Sequence, residues 1–144
     1  MSMHLRSERG YTFVELLVVM ILVGILAAIA LPAFLRQQEG GFDAEAKSRA
    51  RNLLAEVESC FTGDEDYRSC DSAAELELDG IVFGSGPGEV RVSAPSASSF
   101  RIVATSRGES GGTNREFAIS RPGSGAVVRT CGAAGGGCPA SGVW

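Results

Sequence analysis

Residues 10–35 read GYTFVELLVVMILVGILAAIALPAFL, and this stretch decides the fold. From Leu16 to Leu35 there is no charged or strongly polar side chain. About twenty helical residues rise roughly 30 Å, the thickness of a bilayer's hydrocarbon core, so the run is expected to be a membrane-spanning helix. Just upstream, residues 1–10 read MSMHLRSERG, with Arg6 and Arg9 set against Glu8. Positive charge on one flank keeps that flank in the cytoplasm, so the leader is expected inside and the long C-terminal part exported. Three ordinary readings compete: a secretory signal, a plain anchor and a buried core helix. A signal's apolar region is shorter, about 7–15 residues, and ends at a small-residue cleavage site. Glu15 disfavours all three. A lone carboxylate in a membrane helix costs about 2–3 kcal/mol near the centre and less near an end. No cation lies near it within the helix, and the nearest candidate partner is a free α-amino group made by cleavage.

The segment Gly10–Tyr11–Thr12–Phe13–Val14–Glu15–Leu16–Leu17–Val18–Val19 resembles the cleavage and methylation motif of type IV prepilins. That motif has Gly before the cut, an aromatic residue after it, and Glu at the fifth mature position. The run from Val23 to Leu35 is similar to the family too, with Pro32 where many pilins carry a helix-bending proline. Tyr11 departs from the more usual Phe but keeps the ring. The resemblance implies removal of residues 1–10 by a prepilin peptidase that also methylates Tyr11. It implies that Glu15 neutralises the Tyr11 amino group of an adjacent subunit during assembly, which also rewards one axial register. Pro32 lacks an N–H and frees the Ala28 carbonyl, which gives a bend or a local melt on assembly. Gly24, Ala27, Ala28 and Ala30 are small enough for neighbouring helices to approach closely.

Outward from this run, Gly40–Gly41 weakens the helix signal by about 1 kcal/mol per glycine. A second helical pattern then repeats at three- and four-residue spacing through Ala46, Ala50, Leu53, Leu54, Val57 and Phe61. Asp43 is placed to cap its start. One helix over about residues 11–60 is expected, kinked near Pro32 and loosened at Gly40–Gly41. Beyond Glu89 the chain alternates. Val90, Val92 and Ala94 form one run; Phe100, Ile102 and Ala104 the next; Phe117 and Ile119 a third; Ala126–Arg129 a fourth. Pro95–Ser98, Gly108–Thr113 and Pro122–Gly125 separate them as turns of an antiparallel meander. The expected fold class is therefore α+β: a long helix packed on four antiparallel strands. The expected organisation is a leader over residues 1–10, a transmembrane and filament-core helix over 11–35, its amphipathic half over 36–60, and a soluble head over 61–144.

The chain has 144 residues, 44% apolar and 21% charged, with a net charge of −4. An acidic chain with scattered basic residues argues against a nucleic-acid partner. The four cysteines fall as two close pairs downstream of a membrane-targeting segment, which points to an oxidising compartment. Four cysteines allow three connectivities, and the local pairing, Cys60–Cys70 with Cys131–Cys138, is favoured. Each short loop would stabilise by about 2–3 kcal/mol. Neither pair has the spacing of a structural zinc site, and the sole histidine is His4 in the leader. Asp64, Glu65 and Asp66 read as a solvated loop and lack the rest of an EF-hand. Gly84–Gly88 reads as a turn, since no Lys–Ser/Thr follows it. No catalytic set, metal site or cofactor is expected.

The resemblance implies a structural subunit of a type IV pilus, serving attachment, twitching or DNA uptake. Its implied partners are other copies of itself in a helical homopolymer, the prepilin peptidase and an assembly platform in the membrane. It implies a single-pass precursor in the cytoplasmic membrane and later an extracellular pilus. The alternative is a pseudopilin of a type II secretion system in a periplasmic pseudopilus, or a minor pilin that primes assembly. A membrane-anchored binding module leaves Glu15 unexplained.

Overall fold

The computed structural model describes residues 10–76, 80–123 and 125–144. Residues 1–9 of the leader, with His4, Arg6, Glu8 and Arg9, lie outside the described residues, as does Ser124 in the turn before the last strand. Helix α1 runs Phe13–Asp64 and a 3₁₀ turn spans Tyr67–Ser69. Four strands follow: β1 Val90–Ser93, β2 Phe100–Ser110, β3 Thr113–Arg121 and β4 Val128–Cys131. They pair antiparallel in the order β1-β2-β3-β4, a simple meander. The protein is an α+β fold with a long N-terminal helix and a four-stranded antiparallel sheet. The chain divides into two compact units, residues 1–35 and 36–144.

In the first unit every large apolar side chain from Phe13 to Leu35 is exposed. This stretch of α1 is long and apolar enough to cross a membrane. Pro32 sits inside α1. The helix also continues through Gly40–Gly41, in place of the loosening expected there. The reason lies one turn on, where the second unit pins the helix by its buried face.

That face is Asp43, Ala46, Ala50, Leu53 and Val57, at spacings of three and four residues. Its apolar members pack with Val90 of β1, Phe100, Ile102 and Ala104 of β2, and Phe117 and Ile119 of β3. Fully burying a side chain such as Leu53 contributes about 1.5–3 kcal/mol. The helix ends four residues later than expected. Glu65 adopts φ 54° and its N–H reaches the Phe61 carbonyl at 2.8 Å, which closes the last turn. Tyr67 then anchors the connection. Its ring stacks on Phe61 at 4.1 Å and meets the edge of Phe100 at 4.7 Å. Its hydroxyl donates to Glu58 Oε2 at 3.1 Å, and Arg121 ties the same Glu58 at 2.9 Å.

β2 and β3 are longer than the alternation suggested. The expected Gly108–Thr113 turn shrinks to Gly111–Gly112, both at positive φ (62° and 80°), as a two-residue hairpin of this twist requires. The extra length of β2 contains a bulge. Thr105 faces Glu116 and Glu109 faces Asn114, so Ser106, Arg107 and Gly108 together stand opposite Arg115. β4 begins at Val128, two residues later than the expected run.

The bulge serves a buried charge. Asp43 is not a helix cap; it lies in mid-helix and is wholly buried. Its Oδ1 accepts from Ser106 Oγ at 2.6 Å. Its Oδ2 accepts from Arg115 Nε at 2.8 Å and from the backbone N–H of Gly137 at 2.7 Å. Arg115 also donates to the Glu109 carbonyl at 2.6 Å, and the side chain is only 2% exposed. Each buried charge is thus held by several bonds, which such a pair needs to offset its desolvation. Sliding α1 by one turn would leave both charges unpaired.

Candidate processing and assembly site

The N-terminal end of α1 is built by Thr12. Its hydroxyl accepts from the backbone N–H of Glu15 at 3.2 Å, and its carbonyl accepts from Leu16 N at 3.2 Å. Thr12 is therefore the residue that caps the helix, satisfying one of the N–H groups left over at any helix start. The pattern Thr12–x–x–Glu15 ahead of an apolar run is the sequence signature of such a cap, and it was the signal that reading for the anchor passed over. Glu15 falls in the first turn. A carboxylate there is favoured by the helix dipole by about 0.3–1 kcal/mol at an exposed site.

Gly10, Tyr11, Thr12 and Glu15 line one open concavity. Tyr11 is 83% exposed, and among the described residues nothing stands within 4 Å of the place a Cβ on Gly10 would take. The Gly10–Tyr11 bond thus lies ahead of the first helical turn. Among the described residues Glu15 forms no ion pair. Pro32 is remote from this cluster: seventeen helical residues beyond Glu15 is about 25 Å of rise.

The four cysteines lie in the second unit and form two local disulfides, Cys60–Cys70 and Cys131–Cys138. The first joins the end of α1 to the residue after the 3₁₀ turn. The second closes the loop that follows β4. Asp64 lies beside the first bridge, but both neighbouring sulfurs are engaged in it. Asp66 caps the 3₁₀ turn through Arg68 N at 2.9 Å, and the Arg68 guanidinium beside it holds its carboxyl below the usual carboxylate value.

Fold and N-terminus together define a class: a long helix, apolar in its first half, leading into a head of four antiparallel strands, with a Gly–aromatic junction ahead of the helix and a carboxylate in its first turn. Residues 5–31 match the family described as the prokaryotic N-terminal methylation motif. The chain is 39% identical over 60 residues to the type IV major pilin protein PilA of Myxococcus xanthus, covering 42% of this chain and 27% of that protein. It is 26% identical over 121 residues to a fimbrial protein of Pseudomonas aeruginosa, covering 80% of this chain and 78% of that one. The chain therefore spans about a quarter of the Myxococcus protein and nearly four fifths of the Pseudomonas one. No solved structure is a significant match. The chain is thus similar to type IV pilins, and its N-terminus carries the prokaryotic N-terminal methylation motif.

Proposed function

We propose that the chain is a structural subunit of a type IV pilus, cleaved between Gly10 and Tyr11 by a prepilin peptidase, methylated on Tyr11 and polymerised through the first half of α1. The observation that carries this reading is the pairing of two features in one short segment. An apolar helix leaves all its large side chains exposed from Phe13 to Leu35, and a carboxylate without an ion pair among the described residues stands at its start. An apolar surface of that length needs a membrane or other helices to cover it. The carboxylate needs a cation, and cleavage creates one at Tyr11. In a low-dielectric bundle an ammonium–carboxylate pair between neighbours is favoured over either charge alone. The precursor is then a single-pass protein of the cytoplasmic membrane, handed to an assembly platform.

The test is the intact mass of the protein in filaments sheared from the cell surface, without reducing agent. A pilus subunit is abundant there, lacks residues 1–10, carries one methyl group and is lighter by four protons for its two disulfides. A processed chain confined to the membrane fraction overturns the surface-pilus reading in favour of a type II secretion pseudopilin or a minor, priming subunit.

A further inference from the structure

Three features of the C-terminal loop coincide at one spot. The backbone of Gly137 donates to the buried Asp43 carboxylate and accepts from Lys47 Nζ at 2.5 Å. The loop passes so close to the ion pair that side chains are excluded. A Cβ on Gly136 would stand 2.7 Å from Arg115 Nη2, and one on Gly137 would stand 2.8 Å from Asp43 Cβ. The next residue, Cys138, is buried and bonded to Cys131 at the end of β4. The loop backbone is thus the lid over the Asp43–Arg115 pair.

The lid has little of its own to hold it shut. Between the cysteines it reads Gly132–Ala133–Ala134–Gly135–Gly136–Gly137, with no side chain larger than a methyl group. Glycine gives up more conformational freedom on ordering than any other residue. The loop's internal bonds are the reciprocal pair between Gly135 and Cys138, and Gly132 N reaches the Glu116 carbonyl at 3.0 Å. The covalent bridge to β4 is what fixes the lid's far end.

We propose that the Cys131–Cys138 disulfide is a redox latch: its formation seats Gly137 on the Asp43–Arg115 pair and so locks α1 against the β2–β3 hairpin. In forming it, the two thiols give two protons and two electrons to a disulfide acceptor, which leaves as a dithiol, while one S–S bond is made. In the reduced chain the lid lifts, water reaches the ion pair, and the joint between helix and hairpin loosens. The head therefore completes its packing only after it reaches an oxidising compartment. Cys60–Cys70 takes no part in the lid and serves as the internal control. The proposal concerns the head alone and does not depend on polymerisation.

The experiment is hydrogen exchange, read by mass spectrometry, on the full chain in detergent micelles. Opening the latch in a Cys131→Ser/Cys138→Ser variant is expected to speed exchange about tenfold or more in residues 40–47 and 104–109, since local stability follows the contacts that close a segment. Cys60→Ser/Cys70→Ser is expected to leave those two segments at their native rates. Asp43→Asn alone is expected to speed them like the open latch, and to add less than about twofold once the latch is open, because groups acting as one unit are not additive. Native rates in the open-latch variant, or two fully multiplicative effects, overturn the proposal. Should the open-latch variant fail to fold, Gly137→Ala wedges the lid while the disulfide stays. The same two segments then exchange faster if the lid matters, and unchanged rates overturn the idea.

Discussion

The two halves of α1 each carry a carboxylate among apolar neighbours. In the first half Glu15 stands at the helix start, without an ion pair among the described residues and with exposed Phe13, Val14, Leu16 and Leu17 around it. In the second half Asp43 is wholly buried and accepts from Ser106, Arg115 and Gly137, contributed by β2, β3 and the C-terminal loop. One carboxylate has its partners within the folded chain. The other has a helix cap and dipole, which stabilise it by about 1 kcal/mol and no more. A charge with a full set of intramolecular donors is a packing device. A charge in an apolar stretch, without such donors among the described residues, fits the proposed role of Glu15 as a contact to a second molecule.

Removing each in turn breaks the comparison most directly. Asp43→Ala leaves the buried Arg115 with only the half-exposed Glu39 carboxylate, 3.7 Å from Nη2, and the expected loss of head stability is about 3–5 kcal/mol. Glu15→Ala is expected to leave head stability within about 0.5 kcal/mol of the native value, as surface changes usually do. The lone Trp144, whose ring meets Phe117 edge-on at 5.9 Å, reports both by fluorescence during denaturation. The same Glu15→Ala chain should still be cleaved at Gly10 yet yield few filaments. Normal filaments from it, or an equal loss of stability in both variants, would end the distinction.

This contrast also explains what the sequence made legible. Glu15 stood out because every neighbour is apolar, so one polar residue carried the signal, and the alternating runs placed the four strands in order. Asp43 was misread as a cap because a carboxylate after two glycines fits a helix start locally. The missed clue was tertiary. Asp43 continues the stripe Ala46, Ala50, Leu53, Val57, and Arg115 continues the stripe Phe117, Ile119, so opposite charges extend two apolar faces that meet. The β2 bulge was hidden for a related reason: Gly108 reads as a turn residue, whereas its lack of a Cβ makes room for Arg115 Nη2, which would lie only 2.5 Å away. No local pattern announces a glycine kept for a neighbour's side chain.

Tyr67 gives a smaller test within the head. Burial, with the Glu58 carboxylate beside it, raises the phenol's pKa above its usual value near 10.0. The folded state thus holds this proton more tightly than the unfolded one. Its contribution is complete below about pH 10 and is lost as pH rises through the raised value. Tyr67→Phe is expected to cost about 1–2 kcal/mol at neutral pH, the usual price of an orphaned partner, and to flatten this alkaline decline. Denaturation midpoints of both chains from pH 8 to 11 check it, and parallel curves would show that the phenol does not titrate with unfolding.

The smallest expected effect sharpens the reading of Glu15 itself. Thr12 caps the turn that carries this carboxylate, so Thr12→Ala should loosen the turn without touching the charge. A lost cap costs about 1 kcal/mol, or roughly a fivefold faster opening of the first helical turn. Exchange at the Glu15 and Leu16 amides measures that opening, and Thr12→Ser should restore the native rate because it keeps the accepting hydroxyl. Head stability should not move, since Thr12 and Asp43 lie in different compact units. If filament yield then falls in Thr12→Ala and recovers in Thr12→Ser, assembly depends on where Glu15 is held as well as on its charge. If the turn frays while the yield stays native, the charge alone suffices, and the cap serves only to start the helix.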